Sequence, residues 1–384
     1  MTNLRIVNAE LDAEIVRKEE AAADGAAILN DVCAFIGRFV AYPSEHAQFA
    51  HTLWIAHTHL IDAWESTPRI AFLSPEPGSG KTRALEVSAL LVPNSVETVN
   101  MSSAYLFRRI GMEDALPTVL MDEIDAFFTP KSAAAEEIRG LLNAGHRRGA
   151  VVGRCVTVGK AIETVESPAF CAVALAGLGW LPDTLMSRSV VIRMRRRAPT
   201  ETVEPFRPRL HRSEGEALRD RLSSWATLIA SEMSAAMPEM PPGVEDRAAD
   251  CWEALLAVAD AAGGHWPDTS RAAAVALVTA AREANPSLGI RLLEDLRTIF
   301  NGPDTALERE IATDRILSLL CALPVSPWGD MKGRPLDDRK LARMLGRYEI
   351  KPKVLKSVNR RGYRREDLVD VWSRYLPVPS PQGA

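Results

Sequence analysis

The run Leu73-Ser74-Pro75-Glu76-Pro77-Gly78-Ser79-Gly80-Lys81-Thr82 contains the residue types that bind phosphate. Gly78 and Gly80 can adopt backbone conformations that turn successive N–H groups, including that of Ser79, toward an anion. A helix opening at Lys81 would add the positive end of its dipole. The Lys81 ammonium could then reach the β- and γ-phosphates, and the Thr82 hydroxyl could ligate Mg²⁺. A second set of groups stands forty-one and forty-two residues after Lys81, where the apolar run TVLM ends in Asp122 and Glu123. If both runs are strands of one parallel sheet, their carboxyl ends bring these acids beside the glycine-rich loop. Asp122 would hold Mg²⁺, and Glu123 would orient and deprotonate the attacking water. The expected chemistry is ATP hydrolysis with ATP and Mg²⁺ as cofactors, since no Asn-Lys-x-Asp run is present to select guanine. One position departs from the usual phosphate loop: the place five residues before Gly80, normally glycine, is Pro75.

Positioning these groups requires strands alternating with helices, and the chain has that texture from Pro68 onward. RIAFLS, VETVNM and TVLMDE alternate with TRALEVSALLV, SSAYLFRRIG and AAAEEIRGLLNAG. FCAVALAG and SVVIRM complete an α/β fold with a parallel five-stranded sheet by about Arg197. Between the third helix and FCAVALAG, the segment from Val151 to Ser167 has two β-rich arms around Gly159-Lys160, the pattern of a hairpin. Residues 8 to 66 read as helices, with His57 and His59 on different faces in packing or surface positions. Residues 198 to 214, with three prolines, read as a linker, and 215 to 311 as helical throughout, with breaks at the proline-rich MPEMPPG and at GGHWPD. Residues 312 to 376 read as helix, loop, helix, turn, helix, the segment VNRRGYRR and a final helix, with a disordered tail after them.

The ordered motifs between Thr67 and Arg197 resemble an AAA+ ATPase. That resemblance implies an arginine finger in LPDTLMSRSVVIRM, where Arg188 occupies the matching place. It would reach the γ-phosphate held by a neighbouring subunit, which implies a homo-oligomeric ring, most often a hexamer. The family's lid carries a second, nucleotide-sensing arginine, best matched by Arg247. The family also expects a polar residue at the end of the fourth core strand, where this chain has Ala176 and Gly177. The implied domains are an N-terminal helical region (1–66), the AAA+ core (67–197), a helical lid and linker (198–311), a winged-helix-like basic domain (312–376) and the tail (377–384). Stretches such as LNAGHRRGAVVGRC and RRGYRREDLVDVW are similar to phage- and plasmid-borne helicase-like ATPases associated with primase-polymerase domains.

Charge points toward DNA as well. From Lys332 to Arg365 there are thirteen lysines or arginines against three acids, although the whole chain carries −4. A winged helix with Arg360, Arg361, Arg364 and Arg365 on or beside its wing would bind duplex phosphates. In hexameric helicases of the resembling type, a hairpin before the fourth core strand enters the pore, so Lys160 at its tip would contact single-stranded DNA. The leading expectation is a ring-forming, DNA-dependent ATPase, a helicase or replication-initiation motor of a phage or mobile element. The alternatives are an ATP-switched initiator or loader that does not translocate, and a protein-remodelling ATPase, which the absence of an aromatic pore loop disfavours.

Composition sets the outer limits. An apolar fraction of 47% and a charged fraction of 25% are ordinary for a globular protein. The thirty-seven arginines against nine lysines suit a GC-rich genome, so only clustering carries meaning. Five dispersed cysteines (Cys33, Cys155, Cys171, Cys251, Cys321) fit neither a disulfide framework nor a metal knuckle and read as buried thiols. No run is long enough to span a bilayer, and no leader pattern precedes the fold, so a bacterial cytoplasmic protein without membrane contact is expected.

Overall fold

The computed structural model describes residues 24–98, 102–111, 116–125, 133–158, 161–284, 288–323, 327–329, 331, 334–355 and 359–376. The chain divides into two compact units, residues 1–281 and 282–384.

The first unit is an α/β structure built on a five-stranded, all-parallel sheet. Its strands are β1 (Arg69–Ser74), β2 (Ser95–Thr98), β3 (Thr118–Met121), β6 (Ala172–Leu178) and β7 (Ser189–Arg193), in the order β2-β3-β6-β1-β7. Apolar residues run continuously along the central strands because both faces are covered. On one face Ile70, Phe72, Leu120, Ala174 and Ile192 pack beneath a helix over 24–39 (α1), α2 (Glu45–Thr58) and α3 (Lys81–Leu91). The helices α7 (Pro208–Met233) and α8 (Arg247–Ala262) share that core. On the other face Ala71, Leu73, Val119, Val173 and Val191 meet α4 (Ser103–Ile110), α5 (Ala133–Ala144) and the short α6 (Asp183–Met186). The period-two alternation of strand side chains assigns these residues to their two layers.

The expected hairpin is present as β4 (Val151–Val158) and β5 (Ala161–Pro168), which pair antiparallel from Val151↔Pro168 to Val158↔Ala161. Residues 159–160, and with them Lys160, lie outside the described residues. Among the described residues this two-stranded sheet joins no other strand.

Helix α9 (Trp266–Ala284) ends the first unit's helical series, and the second unit has its own core. Four helices, α10 (Leu288–Asn301), α11 (Thr313–Ala322), α12 (Asp338–Gly346) and α13 (Arg365–Tyr375), accompany an antiparallel sheet. Its order is β8-β10-β9, with β8 (Glu310–Ala312), β9 (Lys353–Leu355) and β10 (Arg360–Arg364). Leu292, Leu296, Phe300, Ile316, Trp328, Leu341, Tyr363 and Trp372 fill the space between them.

Four local expectations are corrected. The linker ends at Arg207, because Pro208 sits in the first turn of α7, where a missing N–H costs nothing. Residues 310–312 form a strand, not helix. The segment expected as a helix before VNRRGYRR is strand β9, since Pro352 blocks helix continuation and Val354 pairs with Arg361. Cys321 is exposed rather than buried, its sulfur 3.4 Å from the Trp328 carbonyl oxygen, whereas Cys33, Cys171 and Cys251 are buried free thiols. The Cys155 side chain lies outside the described residues. Among the described residues no helix is long and apolar enough to cross a membrane.

Candidate active site

Strand β1 delivers the chain into the glycine-rich loop, and α3 receives it at Lys81. Gly78 (φ 75°) and Gly80 (φ 84°) both occupy the left-handed region, which glycine enters without steric cost. A Cβ at either would meet only a distant side-chain atom, so the concave side is open. Ser79 and Lys81 are buried, while Thr82 is exposed. The Lys81 Nζ donates to Ser74 Oγ (2.6 Å), Ser79 Oγ (3.1 Å) and, at 3.4 Å, the Glu76 carbonyl. Desolvation lowers its pKa, and the charges of Asp122 and Asp125 act in the opposite direction. The ammonium is thus held by loop oxygens that phosphate oxygens can replace.

The carboxyl end of β3 brings the predicted acids to this loop. Thr82 Oγ1 donates to Asp122 Oδ2 at 2.7 Å, so the two groups assigned to one metal are in direct contact. Mg²⁺ commonly takes only one or two protein ligands beside phosphate and water, and this hydroxyl–carboxylate pair fits that demand. Asp122 Oδ1 accepts from the Glu123 N–H at 2.8 Å. Glu123 itself stands at φ 52°, a left-handed conformation that costs a non-glycine residue on the order of 1–3 kcal/mol. Its side chain is exposed at the rim, free to face a bound substrate.

Three contributions to this end of the sheet were not anticipated. Asp125 Oδ1 accepts from the Leu178 N–H at 2.8 Å, and a Cβ on Gly177 would lie 2.9 Å from that same oxygen. The end of β6, which lacks a polar side chain of its own, thus receives a carboxylate from the turn after β3, and Gly177 leaves room for it. The signal was the third acid of Asp122-Glu123-Ile124-Asp125. Arg196, after β7, donates from Nε to the Pro77 carbonyl at 2.9 Å, steadying the loop whose start carries Pro75. Finally, a cavity of about 500 Å³ runs from Gly78–Thr82 to an apolar wall of Phe39, Ala41, Val203, Pro205 and Phe206. The Arg83 guanidinium lies 5.0 Å from the Phe206 ring centroid. Arg38 ties α1 to this wall through Glu204 and Glu214.

Arg188 and Arg247 lie elsewhere. The Arg188 carbonyl accepts from the Arg69 N–H at 2.9 Å, which fixes Arg188 at the amino end of the sheet. Its Nη1 donates to the Thr184 carbonyl (2.5 Å) and its Nε points at His146 Nε2 (3.4 Å). Arg247 Nη1 donates to Ser187 Oγ (3.2 Å). Both line a second cavity of about 580 Å³ with His146, Arg147, Arg148 and Asp250. Arg247 is thus not beside its own chain's glycine-rich loop, contrary to the nucleotide-sensing position expected for it. Burial, together with Arg69, Arg188 and Arg147, lowers the His146 pKa to about 4, so its Nε2 is free to accept from Arg188.

In the second unit the predicted basic wing is largely committed. Arg360 pairs with Asp314 (2.8 Å), and Arg364 with Glu310 and Glu366. Arg365 is turned inward, donating to Asn301 Oδ1 and to the Phe300 and Ala306 carbonyls, so it holds α13 onto α10. Arg361 is exposed. The sequence reading overlooked a stripe on α12, where Arg339, Arg343 and Arg347 recur at four-residue steps and are exposed, opposite the buried Leu341 and Leu345. His57 and His59 serve packing: His57 bonds Trp54 and Thr67, and His59 bonds Ser223 and Leu91. No metal-holding group of three His, Cys, Asp or Glu occurs among the described residues.

Fold and site together define an α/β protein whose parallel sheet carries a glycine-rich loop and two acids at its carboxyl end. The chain is 39% identical over 188 residues to the "uncharacterized 28.9 kDa protein in xis 5'region" of Saccharopolyspora erythraea, covering 48% of this chain and 69% of that one. The protein belongs to the same family as that relative. Residues 193–375 match DUF3631, a family described as of unknown function. Among solved structures, the apo NrS-1 C-terminal region is similar at 11% identity, with 89% of this chain and 74% of that chain covered. Its TM-score of 0.38 is too low to fix the fold.

Proposed function

We propose that the protein is a P-loop ATPase of the AAA+ type, working as a ring-forming motor on DNA in a phage or mobile element. The observation that carries this reading is the convergence of Lys81, Thr82, Asp122 and Glu123, with the 2.7 Å Thr82–Asp122 bond at its centre. The sheet order β2-β3-β6-β1-β7, with β1 between β6 and β7, agrees with it. ATP would lie with its phosphates in the Gly78–Thr82 cradle and its base against Val203, Pro205 and Phe206. Thr82 and Asp122 would hold Mg²⁺, which would supply charge neutralisation at the transferred phosphoryl group. Lys81 would exchange Ser74 and Ser79 for phosphate oxygens. Glu123 would take a proton from the attacking water, and Asp125, bonded to the Leu178 N–H at the end of β6, would polarise the same region. Arg188, at the far end of the sheet, would complete the site of the next subunit.

DNA enters through charge. The α12 stripe of Arg339, Arg343 and Arg347, with Arg361, is the best-disposed phosphate-binding surface of the second unit. That the relative is named for a xis 5' region suits a mobile-element setting. The test is ATP turnover with and without single- and double-stranded DNA, for wild type and Glu123→Gln. DNA-stimulated turnover abolished in the variant is expected. A wild-type protein that neither hydrolyses ATP nor assembles with it would end this reading.

A further inference from the structure

Two cavities flank the same sheet from opposite ends. β1 alone separates them by six residues, about 20 Å at a strand rise near 3.3 Å per residue. The cavity at the amino end is lined by Thr67 and Pro68, just before β1, and by Ser187 and Arg188, just before β7. The turn after α5 brings His146, Arg147 and Arg148, and the start of α8 brings Arg247 and Asp250. Four guanidinium groups therefore face two carboxylates, Glu65 and Asp250. Arg148 is consumed internally, bonding the Trp64 and Ile61 carbonyls and lying 4.7 Å from the Phe170 ring centroid. Arg147 and Arg247 are exposed, Arg247 bonding Ser187 through Nη1, and Arg188 is half-buried, bonding Thr184 and facing His146.

The backbone holds this arrangement. Gly145 crosses Ala169 so closely that a Cβ would collide with its carbonyl oxygen, which fixes the turn carrying His146 and Arg147. Asp246, at φ 52°, is a non-glycine residue in the left-handed region and sets Arg247 at the first turn of α8. Ser187 then links the two arginines, accepting from Arg247 one residue before Arg188.

We infer that Arg247 acts together with Arg188 on the triphosphate bound by a neighbouring copy, so that this cavity is the acceptor half of a shared nucleotide site. The inference rests on the ring-forming ATPase proposed above, and it assigns Arg247 to the opposite subunit from the one a nucleotide-sensing lid arginine would serve. The ligand class is a nucleoside triphosphate presented by a second copy of this chain, its terminal phosphate meeting two guanidinium groups rather than one.

Mixed assemblies test it. Glu123→Gln has a dead loop but an intact arginine cavity; Arg247→Ala and Arg188→Ala have intact loops. Each variant alone should turn over ATP poorly. Mixing Arg247→Ala with Glu123→Gln should restore turnover at least about tenfold over either alone, because some interfaces then join a good loop to a good cavity. If Arg247 serves its own loop, that mixture stays inactive while Arg188→Ala with Glu123→Gln recovers; the inference then falls and the shared-ring reading stands. If neither mixture recovers, both fall. Full turnover by Arg247→Ala alone, with weakened DNA binding, would make the cavity a nucleic-acid contact and overturn the inference. Sedimentation in ATP checks that each variant assembles, and Arg247→Gln replaces any Arg247→Ala that does not.

Discussion

The two ends of the parallel sheet are built to handle charge by different means. At the carboxyl end the proposed phosphate site is mostly backbone: two glycines at positive φ and one helix start, with a lysine held by loop oxygens. At the amino end the charge is carried by side chains from the α5 turn, the segment just before β7 and the start of α8. A backbone cradle binds whatever phosphate fits its curvature. A cluster of guanidinium groups adds stabilisation where charge accumulates, without gripping the ground state as tightly. On the proposed function, one end would hold the nucleotide and the other would accelerate its cleavage.

The sharpest way to break that division is Arg188→Ala. Turnover should fall about a thousandfold or more while ATP affinity, read by equilibrium binding, stays within a factor of about three. A matching loss of affinity would erase the distinction. Glu123→Gln should cost on the order of a hundredfold or more in phosphate release and leave binding intact, because it removes the base but not the cradle. Gly177→Ala should cost about 1–3 kcal/mol in chemical denaturation and slow turnover, since the added methyl meets Ile124 and Asp125.

A smaller effect distinguishes the ends by acidity. His57 and His146 are held near a pKa of about 4, in both cases chiefly by burial. A histidine whose folded pKa is depressed favours the fold above its unfolded pKa near 6.5 and loses that contribution as pH falls toward 4. The thermal midpoint should therefore drop between about pH 6.5 and pH 4. Protonating His146 removes the acceptor facing Arg188, so the amino-end cavity should fail first on acidification. In the second unit, Arg343→Ala should weaken DNA binding uniformly and reduce the salt slope by about 1, whereas Arg365→Ala should destabilise the fold.

Sequence legibility divided along the same line. The glycine loop, the strand ending in Asp122 and Glu123, the five strands and the hairpin were readable because each depends on neighbouring residues with a fixed period or spacing. The amino-end cavity was not, because residues 146, 188 and 247 meet only through the topology of the sheet. Arg365 misled for a related reason: charge count cannot tell a guanidinium turned toward the Phe300 carbonyl from one facing solvent. The α12 stripe was legible in principle, at four-residue steps, but was masked by the denser arginines that follow it. Gly177 was read as a deficit because its partner, Asp125, arrives from the turn after another strand.

The close crossing of Gly145 beneath Ala169 has a consequence for the protein without ligand. Because backbone packing fixes that turn, the guanidinium groups beside it are kept near one another against their own repulsion. Dissolved salt, with a screening length of about 10 Å at 0.1 M, should relieve that repulsion. Multivalent anions should relieve it at far lower concentration. The first unit should therefore melt higher in sodium sulfate than in sodium chloride of equal ionic strength, a difference that replacing Arg147 and Arg247 together should remove.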